Sequence, residues 1–97
     1  MVDRIPFARF HVRPGNEAAF QEALRKVGPP TRAEPGCAGY PQFRSTQEPR
    51  LFHIHSLWIG KATFDHHGEL PHALEFLDCV QPLINHSLDV VRAIMID

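Results

Sequence analysis

Seven histidines stand in this chain of 97 residues, at positions 11, 53, 55, 66, 67, 72 and 86. Histidine exchanges protons and binds metals closer to neutral pH than any other side chain, so their placement is the first chemical signal. His67 and His72 bracket a Gly68-Glu69-Leu70-Pro71 junction. At such a junction each is either a base for a weakly acidic proton, or a helix cap and a partner for a backbone carbonyl. His53 and His55 form a His-x-His pair that projects from one face of a strand, and His11 lies on the matching face of another strand. Three imidazoles so placed suit zinc or another divalent cation. An isolated His-x-His is a weak signature, and histidines on a sheet face also hydrogen-bond across interfaces, so no metal site is assigned.

The elements that must position these residues follow from periodicity. Residues 5–13 alternate, with Pro6, Ala8, Phe10 and Val12 on an apolar face and Ile5, Phe7, Arg9, His11 and Arg13 opposite. Phe20, Ala23, Leu24 and Val27 then recur at helical spacing. Gly15 or Asn16 is placed to cap the helix start, and Gly28-Pro29-Pro30 to stop it. Arg32 and Glu34 fall in a turn that closes at Pro35-Gly36. Residues 37–46 read as a second strand in which Gly39 and Pro41 imply an edge or a bulge. Residues 51–58 are the clearest strand, with Phe52, Ile54, Ser56 and Trp58 on one face and Leu51, His53, His55 and Leu57 on the other. A short helix over 60–67 precedes a second one opened by Pro71 and striped by Ala73, Phe76, Leu77, Val80 and Ile84, with Pro82 disturbing its last turn. Residues 88–96 supply the fourth strand. The order β-α-β-β-α-β predicts a ferredoxin-like α+β fold. Its four-stranded antiparallel sheet carries both helices on one face, and a second copy can cover the other.

Composition narrows the function classes. Ten basic and eleven acidic residues give a net charge of −1, which offers no electrostatic footprint for nucleic acid or an anionic membrane. A chain of this size buries about two-thirds of its unfolded surface, so pairing is a natural way to complete the core. The first six residues carry no apolar signal core, and no segment reaches about 18 apolar residues. Cys37 and Cys79 are in no Cys-x-x-Cys pair. A cytoplasmic protein with reduced thiols, folded as one domain over residues 1–97, is expected.

Four runs carry a family resemblance: RPGNEAAFQEAL (13–24), RAEPGCAGY (32–40), EPRLFHIHSLW (48–58) and ATFDHHGELPHALEF (62–76). In order and without forced gaps, they resemble the antibiotic biosynthesis monooxygenase domain family. Trp58, His67 and Pro71-His72 occupy the slots of its strand-ending Trp, the His nine residues later and the Pro-His that opens its last helix. The resemblance implies a dimeric α+β barrel, two subunits packed through their sheet faces. It also implies quinol and polyketide-type oxidations that use molecular oxygen without metal or flavin. The chain departs from the family where Ser56 replaces an acidic residue two before the Trp. The family's haem-degrading branch is not matched: its Asn, Trp and haem-ligating His fall on Ala8, His67 and Leu77.

On that resemblance His67 is the base or orienter, Trp58 a pocket wall and hydrogen-bond donor, and His72 an accessory. Each also has a plain packing role open to it. Phe10, Ser56, Phe64 and Phe76 are the expected substrate-binding residues, with the phenylalanines equally at home in an ordinary core. Ser56 has no activating base in the sequence and is not a nucleophile. Two functions follow. One is a monooxygenase with no cofactor, acting on a small aromatic, quinol or polyketide-like substrate. The other is a dimeric small-molecule-binding or stress-related domain that keeps the fold without the chemistry.

Overall fold

Where the burial stripe of a helix continues, the helix continues with it, even through two prolines. The computed structural model describes residues 1–97. In it β1 (Phe7–His11) leads into α1 (Glu17–Arg32), which passes through Gly28-Pro29-Pro30 instead of stopping there. Proline removes the N–H that would bond the carbonyl four residues back, but Thr31 extends the buried Phe20, Leu24, Val27 stripe by one more turn and is itself buried. Helical bonding resumes at once, with the Ala33 N–H donating to the Pro29 carbonyl (3.2 Å). Gly28 makes room for Arg32: a Cβ there would lie 2.6 Å from the Arg32 guanidinium, which donates to the Tyr40 carbonyl (3.2 Å). At the helix start, Asn16 makes no side-chain cap, and Glu17 reaches back to the Gly15 N–H (2.8 Å).

Two of the expected strands are each broken in two. Residues 37–46 divide at Pro41 into β2 (Cys37–Gly39) and β3 (Gln42–Arg44), and 51–58 divide at Ser56 into β4 (Leu51–His55) and β5 (Leu57–Trp58). The halves pair separately: β2 with β5 as a two-stranded ribbon, β3 with β4 in the main sheet. Pro41 cannot donate to a ladder, yet its carbonyl still accepts from the His55 N–H (3.1 Å). Then come α2 (Lys61–His67), α3 (Pro71–Val80), a tight turn over Gln81–Leu83 where Pro82 ends regular helix, and β6 (Asp89–Val91). The last strand is shorter than the apolar run 88–96 suggests. The chain beyond it still follows the N-terminus through Ile5 N–H to Ala93 O (3.0 Å) and Met95 N–H to Asp3 O (3.2 Å).

The main sheet has the order β3-β4-β1-β6, all antiparallel, and is ferredoxin-like with the helices on one face. The alternation in β4 and β5 holds across their break, with Phe52, Ile54, Ser56 and Trp58 all buried. Phe20 of α1 is the centre of the core. Its ring lies 4.9 Å from Phe52, 5.1 Å from Phe10 and 6.3 Å from Phe76, which ties both long helices to the two central strands. No helix is long and apolar enough to cross a membrane. Phe20→Ala should cost about 3–5 kcal/mol of the roughly 5–15 kcal/mol available to such a domain. Urea unfolding of the variant checks this, and a loss under about 1 kcal/mol would remove Phe20 from the centre of the core.

Candidate functional site

A carboxylate oxygen can only accept hydrogen bonds, and one such oxygen organises the region between the sheet and the two last helices. Glu34 sits just past the end of α1, where its N–H donates to the Thr31 carbonyl (3.1 Å) and its own carbonyl accepts from Cys37 (3.2 Å). The following Pro35-Gly36 turn is fixed from outside. Gly36 has φ +88°, and a Cβ there would come 2.4 Å from Thr63 of α2, so only glycine lets the turn lie against that helix. The Glu34 side chain is thereby driven inward and is only 5% exposed. Its Oε2 accepts from His67 Nδ1 (2.7 Å) and from His72 Nε2 (2.6 Å). Its Oε1 is buried without a partner in the chain.

The acceptor fixes the donors. His67 presents Nδ1–H to Glu34, which leaves the basic lone pair of the neutral ring on Nε2; His72 presents Nε2–H. The His67 side chain is 12% exposed and that of His72 23%. Rings hold His67 on its other sides: Trp58 at 5.0 Å, Tyr40 at 6.0 Å in edge contact, and Phe64 at 6.3 Å in a near-parallel stack.

His67 forms part of the wall of a cavity of about 220 Å³. Phe10, Ser56, Phe64 and Phe76 line the same space, so the structure brings these four together with His67. Trp58 and His72 are not in that wall. Trp58 is fully buried behind His67 and Phe64, with its Nε1 unpartnered, and His72 faces a smaller crevice beside α1. Ser56 is buried in the gap between β4 and β5, where its N–H donates to the Pro6 carbonyl (3.3 Å). Tyr40 also lines the cavity, and burial pushes its phenol far above the usual range, so it stays protonated and can donate. Asp65 and Arg92 stand on the same wall. The Arg92 guanidinium lies 5.0 Å from the Phe64 ring centre and 3.0 Å from Asp65 Oδ1. Hydrogen bonds from Lys61 and then Arg92 hold the Asp65 carboxyl below the ordinary carboxylate range.

Four residues at the site, Glu34, Tyr40, Asp65 and Arg92, lie outside the set expected from sequence. Glu34 before Pro-Gly looks like a turn residue, and its only signal is its place in the Arg-x-Glu-Pro-Gly-Cys run. Tyr40 and Asp65 lie inside the family-like runs and Arg92 outside them, but nothing local marks any of the three, since the fold sets them beside the cavity. The histidines on the far sheet face stay apart from it. His53 and His55 have rings 5.8 Å apart, and His11 packs against His86 (5.6 Å), whose Nε2 accepts from the His11 N–H (2.9 Å).

The fold and cavity define a ferredoxin-like α+β domain with an apolar, small-molecule-sized cavity and a carboxylate-held histidine in its wall. Residues 5–78 match the family model described as antibiotic biosynthesis monooxygenase, and the chain belongs to that family. Among solved structures, Rv0793 from Mycobacterium tuberculosis is 26% identical with a TM-score of 0.92, over 98% of this chain and 96% of its own. PA3566 from Pseudomonas aeruginosa shares the fold at 23% identity and a TM-score of 0.90, over 100% of this chain and 97% of its own. The uncharacterized protein sll1783 of Synechocystis sp. is 28% identical over 67 residues, which are 69% of this chain and 46% of that protein. The chain thus matches less than half the length of that curated relative.

The hydrogen-bond pattern around Glu34 is directly observable. Long-range proton–nitrogen NMR spectra above neutral pH should show His67 as the Nδ1–H tautomer and His72 as the Nε2–H tautomer. Glu34→Ala should return His67 towards the Nε2–H form that free histidine prefers. A wild-type His67 already carrying its proton on Nε2 would contradict the arrangement.

Proposed function

We propose that this chain is a monooxygenase that uses molecular oxygen and no cofactor, acting on a small aromatic, quinol or polyketide-like substrate. One observation carries the reading: His67, oriented by a buried carboxylate, stands in the wall of an apolar cavity. A cavity of about 150 Å³ holds benzene, so about 220 Å³ admits a compact one- or two-ring compound.

In this reading His67 Nε2 removes a proton from an activated CH₂ or phenolic group, leaving an electron-rich anion. Glu34 keeps the ring in its useful tautomer and stabilises the imidazolium that forms, the role a buried carboxylate plays behind a catalytic histidine. The anion passes one electron to O₂, and the two radicals combine to a peroxide. The imidazolium returns its proton to the peroxide, and water leaves as the carbonyl forms. One oxygen atom stays in the product and the other departs as water. Tyr40, neutral and in the cavity wall, is a donor for a developing oxyanion. Trp58 acts from behind by packing His67 in place, and His72 by sharing its carboxylate. Phe10, Phe64 and Phe76 supply the apolar walls, and Ser56 leaves space where a larger acidic side chain would intrude. Cys37 and Cys79 are free thiols, as the reducing cytoplasm would keep them, and the reading places the protein there.

The reading includes a homodimer through the open sheet face. Phe7 (38% exposed), Phe43 (46%) and Val91 (57%) lie on that face together with His53 and His55. Burial first, then the fields of His55, Arg9 and His11, hold His53 below the ordinary imidazole range, so it enters such an interface uncharged.

Oxygen uptake by metal-free protein against a panel of quinols and anthrone-like phenols tests the chemistry. His67→Ala should lose about 10²–10⁴-fold in rate, the usual worth of a positioned base. No uptake across the panel, or an unchanged rate in the variant, would leave the second function, a dimeric small-molecule-binding or stress-related domain. Light scattering tests the pairing: the wild type should weigh twice the chain, and Phe43→Asp should halve that mass. A monomeric wild type ends the dimer proposal.

A further inference from the structure

The apolar cavity does not end at Phe64. A second cavity of about 150 Å³ adjoins it, sharing Pro6, Phe64 and Arg92 with the first. Its character is opposite: Arg4, Lys61 and Arg92 line it, and no acidic residue does. The Arg4 Nε is buried without a hydrogen-bond partner, its nearest carboxylate being Asp3 at 3.9 Å.

At the boundary, Asp65 already shows what fits between the cations. Its two oxygens bridge Lys61 Nζ (2.6 Å) and Arg92 Nη1 (3.0 Å), so a carboxylate is the right size and charge for that gap. Asp65 is an exposed side chain on a short helix, and its ion pairs are solvent-accessible, so a ligand group can exchange with it at small cost. Phe64 lines both spaces, its ring 6.3 Å from that of His67 in a near-parallel stack and 5.0 Å from the Arg92 guanidinium.

We propose that the substrate is an aromatic or polyketide-like carboxylic acid, with its ring in the apolar cavity and its carboxylate held by Arg92, Arg4 and Lys61. This assigns the substrate class within the function proposed above and rests on it for the identity of the reacting end. Arg92 supplies the planar fork that matches a carboxylate, and Arg4 and Lys61 add positive charge around it. Asp65 acts as a place-holder that keeps the cations apart and paired until the acid enters.

Calorimetric titration with 2-naphthoate and with its neutral isostere 2-naphthamide reads the annex without turnover. The acid should bind about tenfold to a hundredfold tighter than the amide, the range expected for charge-assisted hydrogen bonds. Arg92→Gln should abolish that preference, so that the variant binds the acid no more tightly than it binds the amide. Asp65→Asn should widen it, because the ligand no longer competes with a resident carboxylate. Equal affinities in the wild type, a preference that survives Arg92→Gln, or failure of both probes to bind would each overturn the proposal. Naphthalene sulfonate binding as tightly as naphthoate would overturn the carboxylate assignment. His67→Ala should keep the preference for the acid. Loss of oxygen uptake there with discrimination retained separates the annex from the chemistry. Discrimination without turnover in any variant would sink the oxygenase reading alone.

Discussion

A carboxylate taken out of water is expensive unless hydrogen-bond donors meet it, and Glu34 is met by two imidazoles on one oxygen. That single constraint reaches every part of the helical layer. His67 ends α2 and His72 begins α3, so the junction between those helices is pinned to the end of α1. Gly36 holds the Glu34 turn against Thr63, and the Gly36 carbonyl accepts from the Ile59 N–H (2.8 Å), joining β2 to the chain just before α2. Trp58 then fills the space behind His67. Remove the carboxylate and two partly buried imidazoles lose their common acceptor, so the wall of the cavity loses its reference point.

The cavity owes its shape to the same geometry. Its floor is the β1 and β4 residues Ala8, Phe10 and Ile54, its roof is Val27 with Ala73 and Phe76, and its chemically distinct side is His67 with Tyr40. Aromatic packing around Phe20 fixes floor to roof, while the Glu34 cluster fixes the side. Two independent sets of interactions, one apolar and one polar, therefore define one space. The opposite face of the sheet takes part in neither set, and exposes Phe7 and Phe43 beside its histidines.

Much of the architecture was legible in the chain because burial leaves a period. The alternation in 5–13 and 51–58 assigned faces correctly residue by residue, and Pro71 marked the first residue of its helix. The misreadings share a cause. Gly28-Pro29-Pro30 has the local chemistry of a stop, but Thr31 is buried on the continuing stripe and tertiary packing outweighs the two missing amides. Pro41 and Ser56 sit inside runs with one alternation, and nothing local shows that the two halves of each run pair with different strands. In the site, histidines and phenylalanines were visible as types, and the family motif placed His67 and His72. The partner that holds them, Glu34, was hidden because a glutamate before Pro-Gly is an ordinary surface turn in most chains. Its burial depends on a glycine contact with a helix more than twenty residues further on.

The two prolines in α1 have one more effect, and it belongs to the unfolded chain. Each ring fixes one backbone torsion before folding begins, so this turn has fewer disordered arrangements to surrender. The missing amides weaken the native ladder beside Val27, while the narrowed denatured ensemble acts in the opposite direction. The wall segment next to the cavity is thus held in part by what the disordered polymer cannot do, and replacing Pro29 with alanine would enlarge that ensemble while returning one amide to the native ladder, two effects of opposite sign.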